Sequence, residues 1–65
     1  MMSDREKAET IISEVLRRTA KEGEGAILRA IFDAYPFGER KGPAYRLWLA
    51  EVRRQRALSH EEGSQ

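Results

Sequence analysis

The sequence predicts an all-α fold, a compact three-helix domain with helices at about 3–22, 26–35 and 43–58 and a basic Pro/Gly turn between the second and third. Three observations predict it. Apolar residues recur at intervals of three and four within each of these segments, the period that lines one side of a helix. A capping signal opens the first segment, and clusters of glycine and proline at 23–25 and 36–43 divide it from the others, as residues that break or redirect a helix do.

Ser3-Asp4-Arg5-Glu6 fits a capping box, in which the Ser3 hydroxyl accepts from the Glu6 amide and the Glu6 carboxylate reaches back. Ala8, Ile11, Ile12, Val15, Leu16 and Thr19 then form a stripe along one side of a helix, the expected core face. Gly23 is placed for a left-handed C-terminal cap, and Lys21 suits the negative end of the helix dipole.

The Gly23-Glu24-Gly25 connection is short, which makes the second helix an antiparallel or steeply crossed neighbour of the first. Ile27, Leu28, Ile31, Phe32 and Tyr35 follow at helical spacing until Pro36 ends the helix by removing a donor and restricting Tyr35. The segment Pro36 to Gly42 reads as a turn, and Pro43 suits the first position of a third helix. On that helix Tyr45, Trp48, Leu49 and Val52 share one face, expected to be core, while Leu47 and Leu58 fall on nearly the opposite side. Residues 1–58 are read as one domain, and the polar residues 59–65 as a disordered tail.

Size and composition limit function. A chain of 65 residues leaves room for only a small core, and below roughly 70–80 residues natural domains often add disulfides, a metal or a second subunit. There is no cysteine, and the one histidine, His60, lacks partner ligands at zinc spacing. No metal or cofactor is expected, and self-association or a bound partner remains as the source of extra stability. With 35% charged and 40% hydrophobic residues, the chain reads as a soluble globular domain. No apolar run approaches the roughly 20 residues of a bilayer span, and Met1 to Glu6 lacks the basic start and apolar stretch of a secretory signal. The expected compartment is the cytoplasm.

Catalysis finds no support. A cysteine nucleophile is absent, and Ser13 and Ser59 have no evident base with an orienting acid. Glu22, Glu24 and Asp33 come without metal-loop spacing.

Charge is distributed unevenly. Residues 1–35 hold six Lys or Arg against seven Asp or Glu, a net of −1, whereas residues 36–58 hold six against two, a net of +4. Five of those six cations are arginine, whose planar fork grips phosphate or carboxylate at two points. The predicted binding surface is Arg40, Lys41, Arg46, Arg53 and Arg54, with Leu47 and Leu58 beside them. The overall charge of +1 is low for a nucleic-acid binder, and Pro36 to Gly42 is too long for a helix-turn-helix turn. The expected function is therefore a non-enzymatic protein-interaction module facing an acidic protein partner. The alternative is a small nucleic-acid-binding regulator using the basic patch at 40–54, and a homo-oligomer is a third outcome.

Tyr35-Pro36-Phe37-Gly38, Arg40, Pro43, Tyr45, Trp48, Glu51 and Val52 also form a pattern that resembles a segment of short bacterial and phage open reading frames. The resemblance covers about the third quarter of the chain. It implies a phage or mobile-element setting, with no activity, cofactor or catalytic residue attached. Physically the segment makes sense as a folding unit in which Tyr35, Phe37, Tyr45 and Trp48 cluster around a rigid turn.

Overall fold

The computed structural model describes residues 2–63. It contains three helices, α1 (Asp4–Arg18), α2 (Glu24–Asp33) and α3 (Pro43–Gly63), and so has the all-α, three-helix architecture that the periodicity predicts.

The start of α1 follows directly from its first residues. Ser3 is the N-cap; its hydroxyl accepts from the Glu6 amide at 3.2 Å, and the Glu6 carboxylate accepts from the Ser3 amide at 3.0 Å. Ala8, Ile12 and Val15 are the buried side of the helix. The end comes earlier than expected, at Arg18 rather than near residue 22. Thr19 is buried, and both its amide and its hydroxyl donate to the Val15 carbonyl, at 2.9 and 2.8 Å. Beyond it the Glu22 amide donates to the Thr19 carbonyl at 3.0 Å, a tighter turn by which the chain leaves the helix. Gly23 is thus not a left-handed C-terminal cap: its φ of −72° and ψ of 166° are extended, and it serves as the N-cap of α2.

α2 begins two residues before its expected start and ends at Asp33. The Ala34 amide still reaches back to Ala30, and Tyr35 to Phe32, so the chain tightens into a last turn before Pro36. Gly38 and Gly42 both take positive φ, 82° and 87°, and between them the chain reverses into α3. That helix runs past the expected end at Leu58, through residues 59–63; the remainder of the expected tail, 64–65, lies outside the described residues.

Specific side-chain pairs fix the directions. Glu9 of α1 meets Arg54 and Gln55 of α3, and Arg5 lies within electrostatic reach of Glu51, so these two helices run the same way. Glu24 at the start of α2 pairs with Arg56, while Tyr35 after its end packs on Tyr45 and Trp48. α2 therefore runs opposite to both, giving an up-down-up bundle.

The core is Ala8, Ile12, Val15, Ile31, Trp48 and Val52. Trp48 is its largest member and has no exposure. Tyr35 stands edge-on to it at 5.4 Å and Phe37 at 6.2 Å, and Tyr35 meets Phe37 and Tyr45 in the same manner at 5.5 and 5.6 Å. These edge-to-face pairs suit the charge distribution of aromatic rings.

One expectation for α3 is corrected. Leu47 does not lie opposite the core but packs against it, whereas Leu49 is half-buried and outside the cluster. The reason is geometric. α3 packs chiefly on α1, so its α1-facing edge, with Leu47 and Glu51, turns inward beside Trp48.

The turn glycines provide a direct test. Gly42→Ala places a β-carbon at φ 87° and is expected to cost about 1–2 kcal/mol. Gly25→Ala, in the first turn of α2 with open space around it, should instead be neutral or gain up to about 1 kcal/mol. Urea midpoints of the two variants against the parent chain check the opposite signs.

Candidate interaction surface

The surface is organised by a buried carboxylate on the α1-facing edge of α3. Glu51 is 5% exposed. Arg54, one turn on, donates to it through Nε at 3.0 Å and Nη2 at 2.5 Å, and Gln55 donates at 2.8 Å. The same two side chains then reach α1: Arg54 Nη2 lies 3.0 Å from the Glu9 carboxylate, and Gln55 Nε2 donates to the Glu9 carbonyl at 2.9 Å. A charge that would be costly to bury alone is thereby saturated by donors.

The electrostatics follow the contacts. Hydrogen bonding from Arg54 holds the Glu51 carboxyl below the ordinary glutamate range; burial opposes this, and Gln55 and the charges of Arg54 and Arg5 add to it. The Arg54 guanidinium is pushed up, first by its hydrogen bond to Glu51 and then by that residue's charge, with Glu9 contributing. Each partner therefore secures the charge of the other.

This arrangement sorts the residues predicted to bind. Arg54 is committed to Glu51 and Glu9. Arg40 is also engaged within the fold: its Nη2 donates to the Phe32 carbonyl at 3.0 Å, closing the end of α2, and its guanidinium carbon stands 5.9 Å above the Tyr35 ring. Tyr35 in turn donates from its hydroxyl to the Glu39 carbonyl at 2.7 Å. Burial pushes that phenol above its ordinary range, with Tyr45 and Glu39 adding and Arg40 opposing, so it remains a donor at neutral pH. Leu47 belongs to the packing around Trp48.

Lys41, Arg46 and Arg53 are exposed, and none takes part in the ion pairs among the described residues. Arg46 and Arg53, seven residues apart, share the outward side of α3 with Ala50 and Ala57. Leu58 is 51% exposed. It lies at the mouth of a groove between α1 and α3, walled by Ser13, Leu16 and Ala20 and rimmed by Glu9, Arg17, Arg54 and Gln55. The structure thus brings Arg54 and Leu58 to one groove, places Arg46 and Arg53 on the adjoining outer face, and sets Arg40 at the opposite end of the helix.

Sequence reasoning missed the α1 wall. Leu16 packs against the core as expected but is only half-buried, because it sits at the margin of the buried stripe. Ala20, one turn on and farther from the centre of the stripe, was the available signal that this margin opens to a groove.

Among the described residues, no group of three or more His, Cys, Asp or Glu side chains is placed to hold a metal ion, and no helix is long and apolar enough to cross a membrane. Neither a family model, nor a curated protein, nor a solved structure matches the chain.

The buried carboxylate gives a pH dependence. Because Glu51 titrates lower when folded than the roughly 4.3 of a free glutamate, its contribution is fully present above that value and is lost as pH falls through the lower folded one. Glu51→Gln should cost about 1–3 kcal/mol at neutral pH, since Arg54 and Gln55 lose a charged acceptor. The gap between variant and parent should close in acid. Thermal melts followed by circular dichroism from neutral pH to below pH 4 test this, and a constant gap would remove Glu51 as its source.

Proposed function

We propose that this chain is a non-enzymatic protein-interaction module of the inhibitor or adaptor kind, acting in the cytoplasm. It binds an acidic protein surface through the outer side of α3 and the adjoining α1/α3 groove. The observation that carries this reading is Leu58, exposed in a groove with Leu16 and Ala20 and bordered by charged side chains. An apolar spot inside a polar rim is the usual anatomy of a protein interface. Arg46 and Arg53 beside it supply cations that take part in none of the ion pairs among the described residues, and these can steer and orient an acidic partner. The resemblance of the segment from Tyr35 to Val52 to short phage and bacterial reading frames agrees with a mobile-element setting.

A nucleic-acid reading stands second, on the same Arg46 and Arg53 with Lys41 in the lead-in turn. The pairing of Arg54 with Glu51 and Glu9, and of Arg56 with Glu24, weakens it, because it leaves fewer cations to neutralise phosphates.

Affinity capture from the native host lysate, with the parent chain, Leu58→Glu and the double variant Arg46→Glu, Arg53→Glu as baits, separates these readings. The expected result is an acidic protein that the parent retains after nuclease treatment and that both variants lose. Retention of the same protein by both variants would sink the proposal, and a catch abolished by nuclease would favour nucleic acid. Light scattering of the parent and Leu58→Glu chains tests self-association through the groove: a dimer there should fall to monomer mass in the variant.

A further inference from the structure

The end of the molecule where α2 passes to α3 carries a second concavity, separate from the groove at Leu58. It is lined by Arg29, Phe32, Asp33, Arg40 and Tyr45. Arg40 is held on two sides. Its Nη2 donates to the Phe32 carbonyl at 3.0 Å, and its guanidinium lies over the Tyr35 ring at 5.9 Å. The carbonyl takes one of five N–H donors and the ring takes none. Neither contact neutralises the charge. The ion pairs among the described residues join Arg17 to Glu14, Arg54 to Glu9 and Glu51, and Arg56 to Glu24, and include neither Arg29 nor Arg40.

A guanidinium fixed by a carbonyl and a ring has already lost much of the freedom that binding would otherwise take away, and its fork is shaped for two oxygens of one anion. Arg29 lines the same concavity as a second cation. Phe32 and Tyr45 are half-buried, so each keeps part of its ring surface open to solvent. Tyr45 is braced edge-on by Tyr35 at 5.6 Å. Asp33, exposed on the same wall, is an acceptor that takes part in none of the ion pairs among the described residues. Two arginines, two partly exposed aromatic side chains and one carboxylate match a ligand with an anionic phosphate, a flat aromatic part and amino or hydroxyl donors.

We propose that this concavity binds a nucleotide, its phosphate on Arg29 and Arg40 and its base against Phe32 or Tyr45. The same chemistry is offered by a free nucleoside monophosphate and by one unit of a single-stranded nucleic acid. The site does not depend on Leu58 or on the outer side of α3.

The test is a titration of the full chain, followed by NMR shifts of Phe32 and Tyr45, with adenosine monophosphate, uridine monophosphate, adenosine, inorganic phosphate and short single strands of DNA and RNA. The expected result is saturable shifts at both rings with a nucleotide or a strand, and weaker binding of adenosine and of inorganic phosphate alone. Arg29→Gln removes no internal ion pair and should weaken binding about tenfold or more, as the loss of a charged hydrogen bond does. Arg40→Lys should do the same with unchanged helicity by circular dichroism. Equal affinity for the free monophosphate and the strand identifies a free nucleotide as ligand; much tighter, salt-sensitive binding of the strand identifies nucleic acid. Absence of shifts at Phe32 and Tyr45 with every probe overturns the proposal, as does an Arg29→Gln chain that binds as tightly as the parent. Leu58→Glu should leave the titration unchanged, so this site and the protein-binding groove stand or fall separately.

Discussion

The fold depends on how the indole of Trp48 is seated. It is wholly buried, with no hydrogen-bond partner for its Nε1 among the described residues, and its contribution is a large area of apolar contact. Tyr35 and Phe37 press their edges toward it, and this anchors both ends of the turn that Pro36 begins. Tyr35 then fixes the turn from within, through its hydroxyl to Glu39 and its face beneath Arg40. The direction of α3, and with it every side chain on its outer surface, follows from one aromatic contact repeated through a chain of neighbours. A helix bundle of this size has few core residues to share the load, which is why a single indole carries so much of it.

The arginines of the basic segment look alike in sequence and have three different fates. Arg54 and Arg56 close gaps between helices by meeting Glu9, Glu51 and Glu24. Arg40 meets no carboxylate and instead covers the end of α2. Arg46 and Arg53 face outward from the middle of the helix. The net charge of the segment therefore overstates what a partner would encounter, because part of it is balanced by acids contributed from α1 and α2. Glu51 reverses the usual expectation for a charged residue: it is among the best-buried groups of α3, kept ionised by donors on its own helix.

Much of the architecture was legible because it rests on local chemistry. The Ser3 and Glu6 box, the spacing of Ala8, Ile12 and Val15, and the stop at Pro36 are each written within a few residues, and the helices form where those signals lie. Boundaries that depend on distant packing were not legible. Thr19, the C-cap of α1, is buried with its hydroxyl on the Val15 carbonyl, and that burial is a fact of tertiary surroundings. The candidate surface was legible only in part for the same reason. Arg46, Arg53 and Leu58 are exposed as periodicity suggested, but the inward turn of Leu47 and Glu51 requires knowing which edge of α3 meets α1, and the loss of Arg54 to Glu9 joins residues 45 positions apart. The concavity at Arg29 and Tyr45 likewise joins two helices across a turn, and no local pattern announces it.

The contacts between Glu9 and the pair Arg54 and Gln55 span 45 and 46 residues, most of the 65-residue chain. Because α1 and α3 run in the same direction, this contact cannot form by simple hairpin closure; α2 has to return the chain first. α1 therefore lacks its main partner until α2 has turned the chain back and α3 has come alongside, and the capping box that stabilises α1 on its own residues supports that first helix before the distant contact forms.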